Sequence, residues 1–390
     1  MLLVAVILMD LLAGMEFDLF VPSFPALQSQ FNLSPFWVEA LLSINFIGYC
    51  LSLFFVGGLT DRYGRKPIIL LGLGIFTLGS LLCPWARSYP FLFMGRFLQG
   101  VGIAAPAILS FLIIADAYSL KKQQYLMAML NGLMNMSVGF APVVGSYVAL
   151  YFHWQGNFIA LLFLGLLTLI VTTCFIPHHP LPEKKETLSW RGYVPLFQSK
   201  PLLLLITHIV LMCIPYWIFV GMSPLLYMKN LGVSLAHFGY YQGIFALVFG
   251  LGSLGFGLII HRFNQMKMLH FTAKIFIISL ICMGIVTLIN SHNPLLITLT
   301  FLPFIIGQII PSTLLYPLSL NILPEAKGKV SAVQQGSRLI LTALSLQLAG
   351  YIYNGSFQSV GIIILGFILM ALITLWLVIK NRDLKELIGR

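Results

Sequence analysis

Four carboxylates occupy positions that lipid disfavours: Asp10, Glu16 and Asp18 in the first apolar stretch and Glu39 in the second. An acid at the centre of a membrane helix costs about 2.5–3.5 kcal/mol on insertion scales, so it persists where it faces a polar cavity and has a task. Inside a membrane that task is moving protons or ions, or holding a cationic ligand. Arg96, within the fourth apolar stretch, belongs to the same chemistry. A guanidinium stays charged at any physiological pH, so Arg96 needs an acidic partner or water, unless it lies shallow enough to snorkel to the interface. At about 100° of rotation per helical residue, Asp10 and Asp18 lie about 80° apart and share a side, whereas Glu16 and Asp18 point about 160° apart. Asp18 sits near the middle of its stretch, and Pro22 cannot donate to its carbonyl, so a polar bend is expected there. Asp18, with Asp10, Glu16 and Arg96, is therefore the expected proton-coupling site. Competition of a proton and a substrate for one carboxylate links the two flows, and the coupling is reciprocal. Asp18 and Arg96, together with Asn131, Met134, Asn135 and Arg338, are the expected substrate contacts; Met and Asn side chains suit a permissive pocket. Glu39 closely follows Pro35 and reads as a solvated helix-end acid near the external interface.

Twelve apolar stretches, each long enough to cross about 30 Å of hydrocarbon, must position these groups. They fall at about 2–27, 35–58, 67–84, 90–115, 125–151, 157–176, 201–227, 237–260, 268–289, 294–322, 330–353 and 360–379. Hydrophobic residues make up 59% of the chain and charged ones 8%, with a mean hydropathy of +0.96, which excludes a soluble domain. The chain enters its first stretch without a basic leader or a cleavage site, so a removable signal peptide is not expected. The net charge of +11 is a matter of topology, not nucleic-acid binding. With both termini cytoplasmic and the spans alternating, cytoplasmic segments hold 17 of the 22 Lys and Arg residues, and the opposite side holds only Arg87 and Lys229. One gap is longer than the rest and proline-rich. It divides the chain into a six-helix bundle over 1–176, a cytoplasmic linker over 177–200 and a second six-helix bundle over 201–390. Within the linker, Leu188-Ser189-Trp190 and Tyr193–Phe197 read either as a short amphipathic piece along the membrane surface or as part of a disordered tether. Cys50, Cys83, Cys174, Cys213 and Cys282 are scattered and form no disulfide or metal pattern, and the short loops leave no room for an extramembrane catalytic domain. No cofactor or metal is expected.

Between the second and third spans runs Gly57-Gly58-Leu59-Thr60-Asp61-Arg62-Tyr63-Gly64-Arg65-Lys66-Pro67. Its glycines permit close helix approach and a tight turn, and an Asp among three cations offers a compact ion-pair network. The string resembles the loop signature of the major facilitator superfamily, G-x-x-x-D-R-x-G-R-[RK], with Gly57, Asp61, Arg62, Gly64, Arg65 and Lys66 matching. The resemblance implies a latch on the cytoplasmic side in the outward-facing state, with Asp116 pairing with Arg62 or Arg65. Arg96-Phe97-Leu98-Gln99-Gly100 is similar to the R-x-x-Q-G motif of drug:proton antiporters, which implies a cavity-facing arginine. In the fifth span, Gly139, Pro142 and Gly145 resemble the antiporter motif ending G-P-x-x-G-G, with Ala141 and Ser146 in place of two glycines. Asp18-Leu19-Phe20-Val21-Pro22-Ser23-Phe24-Pro25 is similar to the D-x-Y-L-P-A-x-P element of the Bcr/CflA group of twelve-helix drug resistance transporters. Ser223-Pro224, Leu231–Ser234 with Phe238-Gly239, and Gly328–Ala332 fit the same group.

These resemblances imply an all-α membrane protein with the major facilitator fold: twelve transmembrane helices in two pseudo-symmetric six-helix halves. The expected function is proton-coupled export of small organic molecules by a monomer in the bacterial inner membrane. Dedicated export of a natural product such as a siderophore, or nutrient import, are the alternatives within transport. A receptor or intramembrane enzyme would leave the buried acids and the loop motif without a task. In the second half, Lys274 and Arg338 either reach the cytoplasmic face or suit an anionic or zwitterionic substrate, and the same half also carries His208 and Gln308 within spans.

Overall fold

A segment in lipid must satisfy its own backbone N–H and C=O groups, and an unbroken helix does so. The computed structural model describes residues 1–177, 193–323 and 326–389, apart from the side chains of Asp61, Leu120, Lys121, Gln124, Tyr125, Ala128, Asn131, Asn135 and His261. Most of the expected linker, including Leu188-Ser189-Trp190, lies outside the described residues. The first half consists of α1 (Leu2–Met15), α2 (Phe24–Phe31), α3 (Pro35–Tyr63), α4 (Arg65–Leu82), α5 (Tyr89–Ala117) and α6 (Leu120–Phe175). The short α7 (Val194–Gln198) leads into α8 (Lys200–Pro224), α9 (Leu235–Ile259), α10 (Gln265–Leu288), α11 (Pro294–Ile322), α12 (Lys327–Ile352), α13 (Phe357–Lys380) and α14 (Arg382–Gly389). Among the described residues, nine helices are long and apolar enough to cross a membrane, α1 being a shorter apolar helix. The helices fall on the twelve expected stretches, α1 with α2 forming the first and α6 carrying both the fifth and the sixth. The chain is an all-α membrane protein.

Two elements depart from expectation. The first stretch is not one helix: α1 stops at Met15, Glu16–Phe20 run as turn and bend, and a 3-10 turn at Val21–Ser23 leads into α2. Pro22 and Pro25 lack the N–H groups that would cap the carbonyls of Asp18 and Val21, so the ladder fails where the acids lie. The 160° separation of Glu16 and Asp18, which assumed a regular helix, does not apply. The fifth and sixth spans also run together. They are interrupted only at Phe152 and His153, where His153 takes a φ of 58°.

Other boundaries follow local chemistry. Pro35 opens α3 after Ser34, and Gly64 joins α3 to α4 at φ 85° and ψ 169°, a conformation open to glycine. Asn264, Asn293 and Ser356 cap α10, α11 and α13 through their side-chain oxygens. The chain packs into two compact units, Met1–Leu188 with Ser234–Gly243, and Ser189–Val233 with Ile244–Arg390. Between helices in lipid, close fit replaces the hydrophobic effect as the driving force. In the first unit Gly100 lies against the Asn45 backbone and Gly102 against that of Phe76, positions where a Cβ would collide. In the second, Phe219 stacks on Phe301 at 4.8 Å and Phe276 lies 5.2 Å from Phe304.

Candidate functional site

The break after α1 sets its side chains against α3 and α5. Arg96 of α5 is fully buried, and its Nη1 donates to Glu16 Oε1 at 3.0 Å and to Gln99 Oε1 at 2.6 Å. Its Nε donates to the Leu41 carbonyl at 3.3 Å, and the Phe20 ring covers the guanidinium at 3.9 Å. Asn45 of α3 donates to Glu16 Oε1 at 2.6 Å and to the Arg96 carbonyl at 3.1 Å. Gln99 in turn donates to Ser80 of α4 at 2.8 Å. Three helices and the broken segment thus hold one buried ion pair. The network is incomplete: Glu16 Oε2 and Arg96 Nη2 have no hydrogen-bond partner among the described residues. Arg96 is the counter-charge of Glu16, not of Asp18.

Asp18 stands two residues away in the break with 1% exposure, and neither of its oxygens has a partner among the described residues. Asp10, eight residues earlier on α1, is equally buried and also without a partner among the described residues. Glu39 corrects the expectation of a solvated acid. It is fully buried, also without a partner among the described residues. The start of α3 is covered by aromatic rings: Trp37 packs at 5.3 Å from Phe36 and 5.7 Å from Tyr89, whose hydroxyl donates to the Trp37 carbonyl at 2.8 Å. Beside the turn that follows the break lies a cavity of about 490 Å³, lined by Pro22, Ser23, Gln30, His153 and Trp154 among others. Asn157 donates to Ser23 Oγ at 2.8 Å on the same side.

Gly139, Pro142 and Gly145 of α6 are contact surfaces. A Cβ on Gly145 would strike the Leu19 carbonyl in the break, and one on Gly14 of α1 would strike Ser137 of α6. On another face, the Pro142 and Gly139 carbonyls lie against Gly239 and Gly243 of α9, and Tyr147 and Tyr240 share a hydrogen bond of 2.7 Å. Met134 is half-buried, and its carbonyl accepts from Ser137 Oγ. The side chains of Asn131 and Asn135 lie outside the described residues.

Around the α3–α4 joint, Arg65 Nη1 meets Asp116 Oδ2 at 2.7 Å, and Lys66 donates to the Thr173 carbonyl at 2.8 Å. Arg62 does not pair with Asp116; it lies over Tyr63 at 5.3 Å. Gly64 makes the turn, Gly57 meets nothing close, and the Asp61 side chain is outside the described residues.

The second unit is built differently. His208 of α8 is buried and meets Thr374 Oγ1 of α13 at 3.0 Å. Gln308 of α11 donates to the Met212 carbonyl. Lys274 is exposed. Arg338 lies eleven residues past the start of α12, about 16 Å along its axis, and turns to the Cys213 thiol of α8.

Sequence reasoning missed Asn45, Gln99 and Phe20 as partners of Arg96. The i, i+3 spacing of Arg96 and Gln99 on one helix face is a signal for the second. Asn45 offers only a polar residue in an apolar span, and Phe20 reaches Arg96 through the break.

The family profile described as Major Facilitator Superfamily matches residues 6–346. The chain is 25% identical over 390 residues to the chloramphenicol resistance protein CraA of Acinetobacter baumannii, covering 98% of this chain and 92% of that one. It is 26% identical over 269 residues to the multidrug resistance protein MdtL of Shewanella oneidensis, covering 67% of this chain and 66% of that one. With an Escherichia coli MdtL it shares 28% over 239 residues, 59% of that protein's length. Among solved structures, a D-xylose-proton symporter superposes with a TM-score of 0.77 at 14% identity, covering 96% of both chains. A bacterial homologue of the human lysosomal transporter Spinster gives 0.74 at 14% identity, covering 96% of this chain and 95% of that one.

Proposed function

Because the chain belongs to the major facilitator superfamily, we propose that it exports small organic molecules in exchange for protons, with Asp18 as the exchange group. The observation that carries this reading is the contrast inside one helix break. Glu16 is committed to Arg96, and Asp18 is buried with no partner among the described residues. An ionised carboxylate without partner or water costs several kcal/mol in a dry interior. Passage through a closed state is therefore open to Asp18 carrying a proton, or to Asp18 paired with a substrate group, and is disfavoured when it is charged and empty. That rule couples the two flows and suppresses leak. Asp10 is the companion group, and the cavity beside Pro22 and Ser23 is the route by which water and protons reach the break. Arg96 acts as the fixed cation that holds Glu16.

The Arg65–Asp116 pair and the Gly64 turn act as the cytoplasmic latch, together with Gly57, Asp61, Arg62 and Lys66. Gly145 keeps α6 tight against the break, and Gly139 and Pro142 seat α6 against α9. Met134, Asn131 and Asn135 contribute to the substrate surface at the level of Asp10 and Gly14. We place the protein in the bacterial inner membrane as a monomer with both termini cytoplasmic, on the distribution of Lys and Arg. The names of the relatives, chloramphenicol and multidrug resistance proteins, favour drug-like substrates over siderophores or nutrients.

The test is transport in proteoliposomes under an imposed pH gradient, with chloramphenicol as neutral probe and ethidium as cationic probe. Substrate movement that is driven by the gradient and accompanied by opposite proton movement is the expected result. Transport with no proton movement for either probe would remove proton exchange.

A further inference from the structure

The second unit holds one deeply placed cation with no acid to answer it. Arg338 lies on the α12 face that also carries Gln334, Thr342 and Ser345, all buried, which is the spacing of one helix side. Its guanidinium lies near the Cys213 thiol of α8, while its Nε is buried without an acceptor among the described residues. Among the described residues the ion pairs are Arg65–Asp116 and Arg96–Glu16, and no carboxylate lies within ion-pair distance of Arg338. A thiol is a weak acceptor and carries no compensating charge as a neutral group. The neighbouring backbone is irregular. Pro215 leaves the Leu211 carbonyl without its helical donor, Pro311 does the same to Gly307, and Gln308 is turned to the Met212 carbonyl. Arg338 and Cys213 are each only partly covered, so the group is open on one side. Kinked helices presenting a lone charge at mid-membrane depth are the pattern of a transporter binding site.

We propose that Arg338, with Cys213 beside it, is an anion-recognition point that docks a carboxylate or similarly acidic group of the transported molecule. The inference rests on the transport reading for what fills the site, and it extends that reading from cationic and neutral substrates to acidic and zwitterionic ones. A guanidinium presents planar paired donors that match a carboxylate, which gives orientation as well as charge. The incoming acid would supply the acceptor that Nε lacks.

Cys213 supplies its own reporter. Sulfonatoethyl methanethiosulfonate (anionic) and trimethylammonioethyl methanethiosulfonate (cationic) both modify a thiol by forming a mixed disulfide, with methanesulfinate leaving and the thiol proton passing to solvent. The rates at Cys213 are followed on the purified full chain in detergent by peptide-resolved mass spectrometry, with Cys282 as control in the same unit. The anionic reagent should be favoured at Cys213 by about five- to tenfold over its preference at free cysteine, the ratio one nearby charge gives in water at this range. Arg338→Gln should abolish that preference and Arg338→Lys should keep it. Benzoate should slow modification of the unaltered chain more than benzamide does. Rates blind to reagent charge, an unreactive Cys213, or equal effects of benzoate and benzamide would each overturn the proposal. The assay involves no transport, so a failure of proton exchange in vesicles leaves it standing, and a charge-blind Cys213 leaves proton exchange standing.

Discussion

The two units of this chain handle charge in lipid in opposite ways. The first buries four acids and one arginine, and it spends that arginine on Glu16 through a network that also engages Asn45, Gln99 and Ser80. Three carboxyl groups, Asp10, Asp18 and Glu39, remain without partners among the described residues. In the second unit the described carboxylates are Asp383 and Glu386 of α14, well away in sequence from the span that carries Arg338. Its deep cation lies near a thiol, with no described acid in ion-pair distance. The difference separates structural charge from working charge. A paired acid is part of the scaffold, and an unpaired acid or base is a place where something must arrive before the site can close.

Breaking the Glu16–Arg96 pair should produce the largest loss of stability. Glu16→Gln leaves a buried guanidinium uncompensated, a change worth about 3–5 kcal/mol in comparable buried pairs. Unfolding in detergent should show this loss, and the Glu16→Gln, Arg96→Gln double variant should recover part of it. A loss confined to a few tenths of a kcal/mol would mean that the pair is not structural and that the contrast with Asp18 fails. Next come the contacts that hold the break in place. Gly145→Val places side-chain atoms where the Leu19 carbonyl lies, and overpacking of this kind costs about 1–3 kcal/mol. The same variant should depress proton-driven transport, because the break moves with Leu19. In the second unit, His208→Leu should cost about 0.5–1.5 kcal/mol for the lost Thr374 bond and leave proton movement per substrate unchanged. A change in that ratio would place part of the proton path in the second unit. The smallest effect is expected at the surface. Arg65→Ala removes a half-exposed pair worth less than about 1 kcal/mol of stability, so any marked fall in transport would report on the latch instead of on folding.

How much of this was legible in the sequence depended on the range of the physics involved. The bend at Asp18 was readable because a proline acts on the carbonyl four residues before it. The Arg65–Asp116 contact followed from topology, since both groups sit at the ends of neighbouring spans. The allocation of Arg96 was not readable. The angle between Glu16 and Asp18 assumed the very helix that Pro22 and Pro25 dismantle, and the vote for Glu16 comes from Asn45, which is remote in sequence. The position of Glu39 near a helix start suggests water, whereas the packing of α3 leaves its carboxyl fully buried. The sequence of α12 is compatible with two settings for Arg338, because its depth and the identity of its neighbour are tertiary facts. Asp61, Asn131 and Asn135 remain candidates on sequence grounds alone.

The account turns on Asp18 being the carboxyl group that exchanges proton for substrate. The most direct measurement sets Asp18→Asn beside the unaltered chain in the same proteoliposomes, recording uptake driven by a pH gradient and, separately, exchange of labelled for unlabelled ethidium or chloramphenicol with no gradient. An asparagine mimics the shape of the protonated acid but cannot release a proton. Gradient-driven transport should therefore be lost in the variant while gradient-free exchange of the neutral probe persists. Full gradient-driven transport by Asp18→Asn, with proton movement per substrate unchanged, would contradict the account.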